Sequence, residues 1–503
     1  MEALFSFDFS TLFTLENMFA IIFGTLFGLL VGALPGLGAT IGIALLLPVT
    51  YTMDPLPSVI LLISVYMASE YGGSISAIVL GVPGTAAAVA TTLDGSPMAK
   101  QGFPGKALAY SLTASTIGGF AGGIVLMTLT VPLSKLTIRF SDPEFVLLGI
   151  LGLVCVASLS SKDIPKSILS VLFGLLFSLI GQDSLVGFPR FTFGSLTLLS
   201  GISYVPLIVG MFAFSEVYLM LGGDLNKRYV TDKKNLKTKI TWKEFKNVWK
   251  NILRGSIIGS LTGILPGLGG GPASWFAYTE ARRTAKNPEN FGKGEPNGIA
   301  AAESANNATV GGAMIPLLTL GIPGSPSTAV ILGALMIQGI QPGPMVFLRS
   351  PDLINGIFWG FILSVFAMYF IGKYTTSLWA RMLTIPNYAL IPIVLIAAYI
   401  GAYSKDLNIV DVWIAIIAGV VAYLMRKLNY SLPAFILAFI LGPLIETGMR
   451  RSLMLSSGSL SIFIERGYSL TILIIIILML GSQIYTKGIK NIIDKPQNIN
   501  KGV

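Results

Sequence analysis

Two kinds of group could do chemistry in this sequence. One is main-chain polar atoms released where apolar helices are interrupted; the other is a small set of polar side chains embedded in apolar sequence. The interruptions read "PGLG" at 35–38, "GVPGT" at 81–85, "PGLGG" at 266–270 and "GIPGS" at 321–325. Proline has no N–H to donate and clashes with the preceding turn, while glycine reaches backbone angles that other residues avoid. In hydrocarbon each freed backbone group costs several kcal/mol unless protein, water or a ligand satisfies it. Carbonyls freed by an unwound "PGLG" suit a cation, so Gly36, Leu37, Gly38, Gly267, Leu268 and Gly269 are candidate main-chain cation ligands. The start of a new helix suits an anion. On that ground Pro83, Gly84 and Thr85, with Pro323, Gly324 and Ser325, are candidate ligands of an anionic solute, each turn carrying a hydroxyl at its tip. Asn306 and Asn307 are expensive in a membrane and join them as candidate solute ligands, as do Ser74 and Ser76, although serine is also common at tight helix contacts. Glu70 and Glu303 are functional carboxylates if they lie inside the membrane and ordinary ones if they lie at an interfacial end. Asp94 and Lys100, in "LDGSPMAKQG", read as a surface turn.

Much chemistry is excluded. The chain has no histidine, which removes imidazole metal ligands, histidine proton relays, Ser-His catalysis and the HExxH metalloproteases. No metal centre or cofactor is expected beyond a transported cation. Its single cysteine, Cys155, lies in an apolar run and reads as a small buried hydrophobe, and one cysteine allows no intrachain disulfide. An aspartyl intramembrane protease needs paired aspartates deep in helices, but Asp183, Asp224, Asp406 and Asp411 lie near segment ends. "LGGD" at 221–224 resembles a GxGD signature only loosely.

The elements that position these residues follow from composition. Of the 503 residues, 53% are hydrophobic and only 12% charged, against about 25% charged in soluble domains. Apolar stretches long enough to cross a bilayer recur from end to end. The expected fold is therefore an all-α polytopic membrane protein with roughly 10–14 transmembrane helices. The formal net charge of +10 is concentrated in a basic linker, 224–254, where ten lysines and arginines face only Asp224, Asp232 and Glu244. Such a loop marks the cytoplasmic side, as does the basic C-terminal tail. The N-terminus carries Glu2, Asp8 and Glu16 with no base, is expected to face the periplasm, and lacks the basic region of a signal peptide.

The chain also repeats itself. The ladder Gly24, Gly28, Gly32 with its "PGLG" break returns 231 residues on, as Gly255, Gly259, Gly263 and a second break. "GVPGT" is matched by "GIPGS", and "QGFPG" at 101–105 by "QGIQPG" at 338–343. The GxxxG ladders themselves are read as helix-packing surfaces. With the N-terminus outside and the basic linker inside, the two ladders enter the bilayer from opposite faces. That is an inverted repeat, the architecture of many secondary transporters, with its binding site at the repeat interface. The organisation is a first half, 1–223, the linker 224–254, and a second half, 255–503, with C-terminal scaffold helices. Whether the arms after each "PGLG" finish a crossing or turn back is left open by periodicity.

At these residues the sequence resembles the large membrane subunit of tripartite tricarboxylate transporters, the TctA type. The resemblance rests on "GALPGLGATIGIALLLP", "YGGSISAIVLGVPG", "LDGSPMAKQG", "GILPGLGGGPASW", "ESANNATVGGAMIPLLTLGIPGS" and "GIQPGP", spread over nearly the whole chain. It implies a bacterial inner-membrane secondary transporter of organic di- or tricarboxylate anions, driven by a sodium or proton gradient. It also implies two partners: a small membrane subunit of about four helices and a periplasmic solute-binding protein that delivers the substrate. No role from the family is carried onto Glu70. Absence of histidine and scarcity of buried acids favour sodium. A passive anion channel and an intramembrane enzyme are the alternatives; neither nucleic acid nor nucleotide binding is indicated, and no GxxxxGK[ST] is present.

Overall fold

This computed structural model describes residues 8–34, 37–159, 164–183, 186–223, 239–382, 387–403 and 407–493. The first copy of the repeat opens with α1 (Leu15–Ala33), whose N-cap Thr14 accepts from the Asn17 amide. It continues through α2 (Gly38–Leu46), α3 (Pro55–Leu80), α4 (Val89–Lys100) and α5 (Pro104–Thr137). Then come α6 (Asp142–Leu159) and α7 (Ile164–Ser178), followed by the two short strands β1 (Gly181–Gln182) and β2 (Pro189–Arg190). After them, α8 (Tyr204–Val209) and α9 (Ser215–Leu221) are joined by a π-helical turn. The second copy comprises α10 (Trp242–Ile264), α11 (Gly270–Arg283), α12 (Pro296–Leu320), α13 (Pro326–Ile337), the single turn α14 (Val346–Arg349) and α15 (Pro351–Met382). The chain closes with α16 (Asn387–Tyr403), α17 (Ile409–Lys427), α18 (Leu432–Leu455), the turn α19 (Ile462–Glu465) and α20 (Gly467–Ile493). Among the described residues, six helices are long and apolar enough to span a bilayer by themselves, and six shorter apolar segments accompany them. The all-α polytopic fold is as the sequence predicts.

The glycine ladders are packing seams. A methyl group on Gly24, Gly28 or Gly32 would collide with the backbone of Leu61, Val65 or Ser69, all on α3. On Gly255, Gly259 or Gly263 it would collide with Ala301, Ala305 or Thr309, all on α12. Both series rise together, so α1 runs parallel to α3 and α10 runs parallel to α12. A chain that leaves α1 and re-enters alongside it must first return to the side from which it started. Only α2 and the 3₁₀ turn Leu47–Thr52 lie between, so α1–α2 is a re-entrant hairpin. By the same argument so is α10–α11. This settles what periodicity left open.

The two copies point in opposite directions. Along the α3–α12 contact, Asn307 donates to the Met67 carbonyl, Asn306 to the Glu70 carbonyl and Ser74 to Glu303. Residue numbers rise on one helix as they fall on the other, so these central helices are antiparallel. Each copy then packs its last long helix on the centre of the other. Gly118 and Gly122 of α5 lie against Ser304 and Ala308 of α12, and Gly356 and Gly360 of α15 lie against Leu56 and Ile60 of α3. Gly32 and Gly263 thus occupy equivalent places, as do Gly81 and Gly321. The latter pair cap α3 and α12 in the left-handed conformation, with φ of 71° and 69°.

Candidate functional site

The Pro-Gly turns fold back beside the helices they follow. Gly84 donates its N–H to the Gly73 carbonyl at 3.1 Å. Gly324, its equivalent, lies beside Ala313, and its carbonyl accepts the Gly267 N–H at 3.0 Å. Each re-entrant hairpin tip therefore meets a Pro-Gly turn inside the molecule, and a new helix starts from each. Thr40, in the first turn of α2, hydrogen-bonds Ser327, in the first turn of α13, at 3.0 Å. A Cβ on Gly270, the first residue of α11, would lie 3.1 Å from Ala87, in the turn that leads into α4, and 2.5 Å from Asn306 Oδ1. Four helix N-termini, those of α2, α4, α11 and α13, are thus brought together in two pairs. Each helix start carries about half a positive charge, although at α13 Pro326 has no N–H and the Thr328 N–H is already given to Ser325.

The polar side chains around this centre are unequal. Ser325 caps α13 in a box with Thr328 and accepts from Tyr66 at 2.9 Å. Thr85, at the equivalent tip, makes no capping bond, and its Oγ1 has no partner. Asn306 gives its Nδ2 to the Glu70 carbonyl at 3.3 Å and leaves Oδ1 unpartnered. Asn307 donates to the carbonyl and sulfur of Met67 and faces Met368. Ser76 turns back onto the Gly73 carbonyl, and Ser74 binds Glu303. Glu303 is fully buried, and its carboxylate accepts from Ser74, Thr91, Ser111 and Ser115. These hydroxyls come from α3, α4 and α5, so one side chain of the second copy is held by three helices of the first.

Of the main-chain cation candidates, Gly36 lies outside the described residues. Leu37 and Leu268 make tight-turn bonds to Leu34 and Leu265, Gly267 bonds Gly324, and Gly38 and Gly269 share a φ of 64°. Glu70 and Glu303 are buried in the middle of α3 and α12, not at interfacial ends. Asp94 is not on a surface turn. It is fully buried in α4, where its Oδ1 accepts the N–H groups of Gly292, Gly294 and Glu295 at 2.8–2.9 Å and its Oδ2 accepts the Tyr278 hydroxyl. The sequence "LDGSP" reads as a turn from local propensity, but burial against the 292–295 loop keeps it helical. Lys100 is exposed, as expected. The side chain of Cys155 lies outside the described ones.

Sequence reasoning missed Thr40, Tyr66, Thr91, Ser111, Ser115 and Ser327. The internal register held a signal for one of them: the 240-residue offset that relates Gly81 to Gly321 also relates Tyr66 to Asn306.

Re-entrant hairpins in two antiparallel copies, with helix starts gathered between them, define a multi-pass membrane protein of the transporter class. The sequence profile of the Tripartite tricarboxylate transporter TctA family matches residues 18–437, and the chain belongs to that family. It is similar to the "Uncharacterized 52.8 kDa protein in TAR-I ttuC' 3'region" of Agrobacterium vitis, with 36% identity over 472 residues, 93% of each chain. It is also similar to the "Uncharacterized protein in TAR-II ttuC' 3'region" of the same organism, with 39% identity over 205 residues, 40% of this chain and 83% of that protein. No solved structure matches the chain.

Proposed function

We propose that the chain is the transporting subunit of a secondary importer of organic di- and tricarboxylates, coupled to a cation gradient, most simply sodium. The observation that carries this reading is the meeting of four helix N-termini between antiparallel copies. Their N–H groups and partial positive charges favour carboxylate groups. The cargo sits at the turns Pro83–Gly84–Thr85 and Pro323–Gly324–Ser325, with Asn306 between them, while Ser74, Ser76 and Asn307 hold the surrounding helices in place. Glu70 and Glu303 put two carboxylates beside the same centre. An anion entering alone would be repelled by them, so a cation that travels with it lowers the electrostatic barrier; this is a physical basis for coupling.

Alternating access then opens this centre to each side of the membrane in turn. In this reading the linker 224–254 and the C-terminus lie on the cytoplasmic side of a bacterial inner membrane and the N-terminus on the periplasmic side, which the excess of lysine and arginine in the linker supports. Family membership supports two partners, a small membrane subunit of about four helices and a periplasmic binding protein that delivers the cargo.

The test is uptake of labelled citrate, or another di- or tricarboxylate, into proteoliposomes holding both membrane subunits, with the binding protein outside. Uptake that needs an inward sodium gradient supports the reading. Uptake indifferent to sodium but responsive to a pH gradient overturns the sodium assignment. Flux that runs without any ion gradient or binding protein overturns coupled import.

A further inference from the structure

The pseudo-symmetry of the two copies is broken at several polar positions, and one of these breaks has the chemistry of a cation site. Under the 240-residue register, Tyr66 is equivalent to Asn306, Glu70 to Val310 and Thr85 to Ser325. In one half-site, Tyr66 fills the space and donates to Ser325, whose hydroxyl also caps α13. The other half-site has no tyrosine. There Thr85 and Asn306 lie within hydrogen-bonding reach of the carboxylate of Glu70, yet Glu70 Oε2, Thr85 Oγ1 and Asn306 Oδ1 are all buried and none makes a well-formed hydrogen bond. Glu70 is 8% exposed and Asn306 1%.

Three orphaned oxygens at one place are costly in a buried, low-dielectric site. The carboxylate and the amide oxygen can only accept, and the Thr85 hydroxyl has one proton to give, so the group cannot satisfy all of its acceptors from within. A hard cation with oxygen preference would satisfy all three at once. Charge selects the valence. The site offers one carboxylate, with Glu303 as a second buried negative charge nearby, while the adjoining helix starts contribute positive potential. One monovalent cation balances Glu70. Glu303 gives its oxygens to four hydroxyls and is not free to ligate, so a divalent ion would meet one carboxylate only, beside helix N-termini that already add positive potential.

We propose that Glu70, Thr85 and Asn306 form a binding site for one sodium ion, present in the first half-site only because Tyr66 and Val310 occupy its mirror position. The proposal rests on the cation-coupled reading above. Asn306 stands between this ion and the first turn of α11, so an occupied site turns the amide oxygen away from the helix start and leaves that N-terminus free for the anion.

The experiment is a melting curve of the purified full-length chain in detergent, in choline chloride titrated with sodium or potassium chloride, with no carboxylate present. Sodium is expected to raise the melting temperature saturably, and potassium is not. Glu70→Gln should abolish the sodium response. Thr85→Val and Asn306→Ala should each raise the half-maximal sodium concentration at least tenfold. Lys100→Ala, at an exposed position away from the site, should leave that concentration unchanged. A sodium response retained in full by Glu70→Gln, or absent from the unmodified chain, overturns the site. If Glu70→Gln fails to fold, Thr85→Val decides, and an unchanged half-maximal concentration overturns the proposal. Because no carboxylate is present, failure here is distinguishable from failure of carboxylate transport, which uptake reads separately.

Discussion

The backbone N–H of Gly267 donates to the carbonyl of Gly324 across 3.0 Å, joining the tip of a re-entrant hairpin to the Pro-Gly turn that follows the next helix. In the first copy Gly84 fills the same place against Gly73 and the Gly32 carbonyl. Backbone freed by proline is therefore satisfied partly by other freed backbone, which is how irregular chain persists at membrane depth.

These contacts leave no room for side chains. A Cβ on Gly324 would lie 2.7 Å from both Ala313 Cα and the Gly263 oxygen, and one on Gly84 would collide with the Gly32 oxygen. Neither neighbour is a flexible side chain. Gly84→Ala and Gly324→Ala are expected to destabilise the protein by ~1–3 kcal/mol or more, seen as lower melting temperatures in detergent. Gly467→Ala, with nothing within 4 Å of the added methyl, should melt with the unmodified chain.

Asp94 ties α4 of the first copy to the loop before α12 of the second. Asp94→Ala strands the N–H groups of Gly292, Gly294 and Glu295, which are only partly buried, so each costs less than the ~1–3 kcal/mol of a fully buried unsatisfied group. Hydrogen–deuterium exchange over 288–298 should accelerate strongly in Asp94→Ala. Tyr278→Phe, which removes a single hydroxyl bond, should change it much less.

Glu303 predicts a different ranking. Glu303→Ala leaves Ser74, Thr91, Ser111 and Ser115 without their acceptor and opens a cavity between α12 and α3–α5. It should reduce the yield of monodisperse protein sharply. Glu303→Gln keeps the shape and one acceptor oxygen and should be recovered in larger amount, with an intermediate melting temperature.

At the end of α17, Arg426 pairs with Glu216 just after the π turn, and the glutamate is the more buried partner. Arg426→Met leaves that carboxylate unpaired, with an expected loss of about 3–5 kcal/mol. Combining it with Glu216→Gln should restore most of the melting temperature. If the double replacement melts as low as Arg426→Met alone, the loss comes from arginine packing instead of the uncompensated charge.

Much of the fold was legible because it depends on signals local in sequence. The glycine ladders announced close-packing faces on α1 and α10, though not that α3 and α12 would cover them, and repeated Pro-Gly punctuation announced the duplication. What was not legible depends on which helices meet. Nothing near Asp94 says that an N–H cradle from residues 292–295 will enclose it, and local propensity points to a turn. Glu303 gave no sign that four hydroxyls from the other copy would surround it, because those partners lie 188–229 residues away. The crossing or re-entrance of α2 was decided only by the parallel register of α1 and α3, a long-range relationship that no period reveals.

The central claim is that paired helix starts between inverted copies receive the carboxylates of the cargo. The most direct test is an experimental structure of the full-length chain prepared with citrate and sodium chloride. The account predicts ligand density bounded by Thr85, Asn306 and Ser325, with its carboxylates at the first turns of the helices beginning at Gly38, Val89, Gly270 and Pro326. Citrate bound elsewhere, such as the surface cavity lined by Gln182, Arg190, Tyr204 and Glu446, with the helix starts still closed on one another, would contradict it.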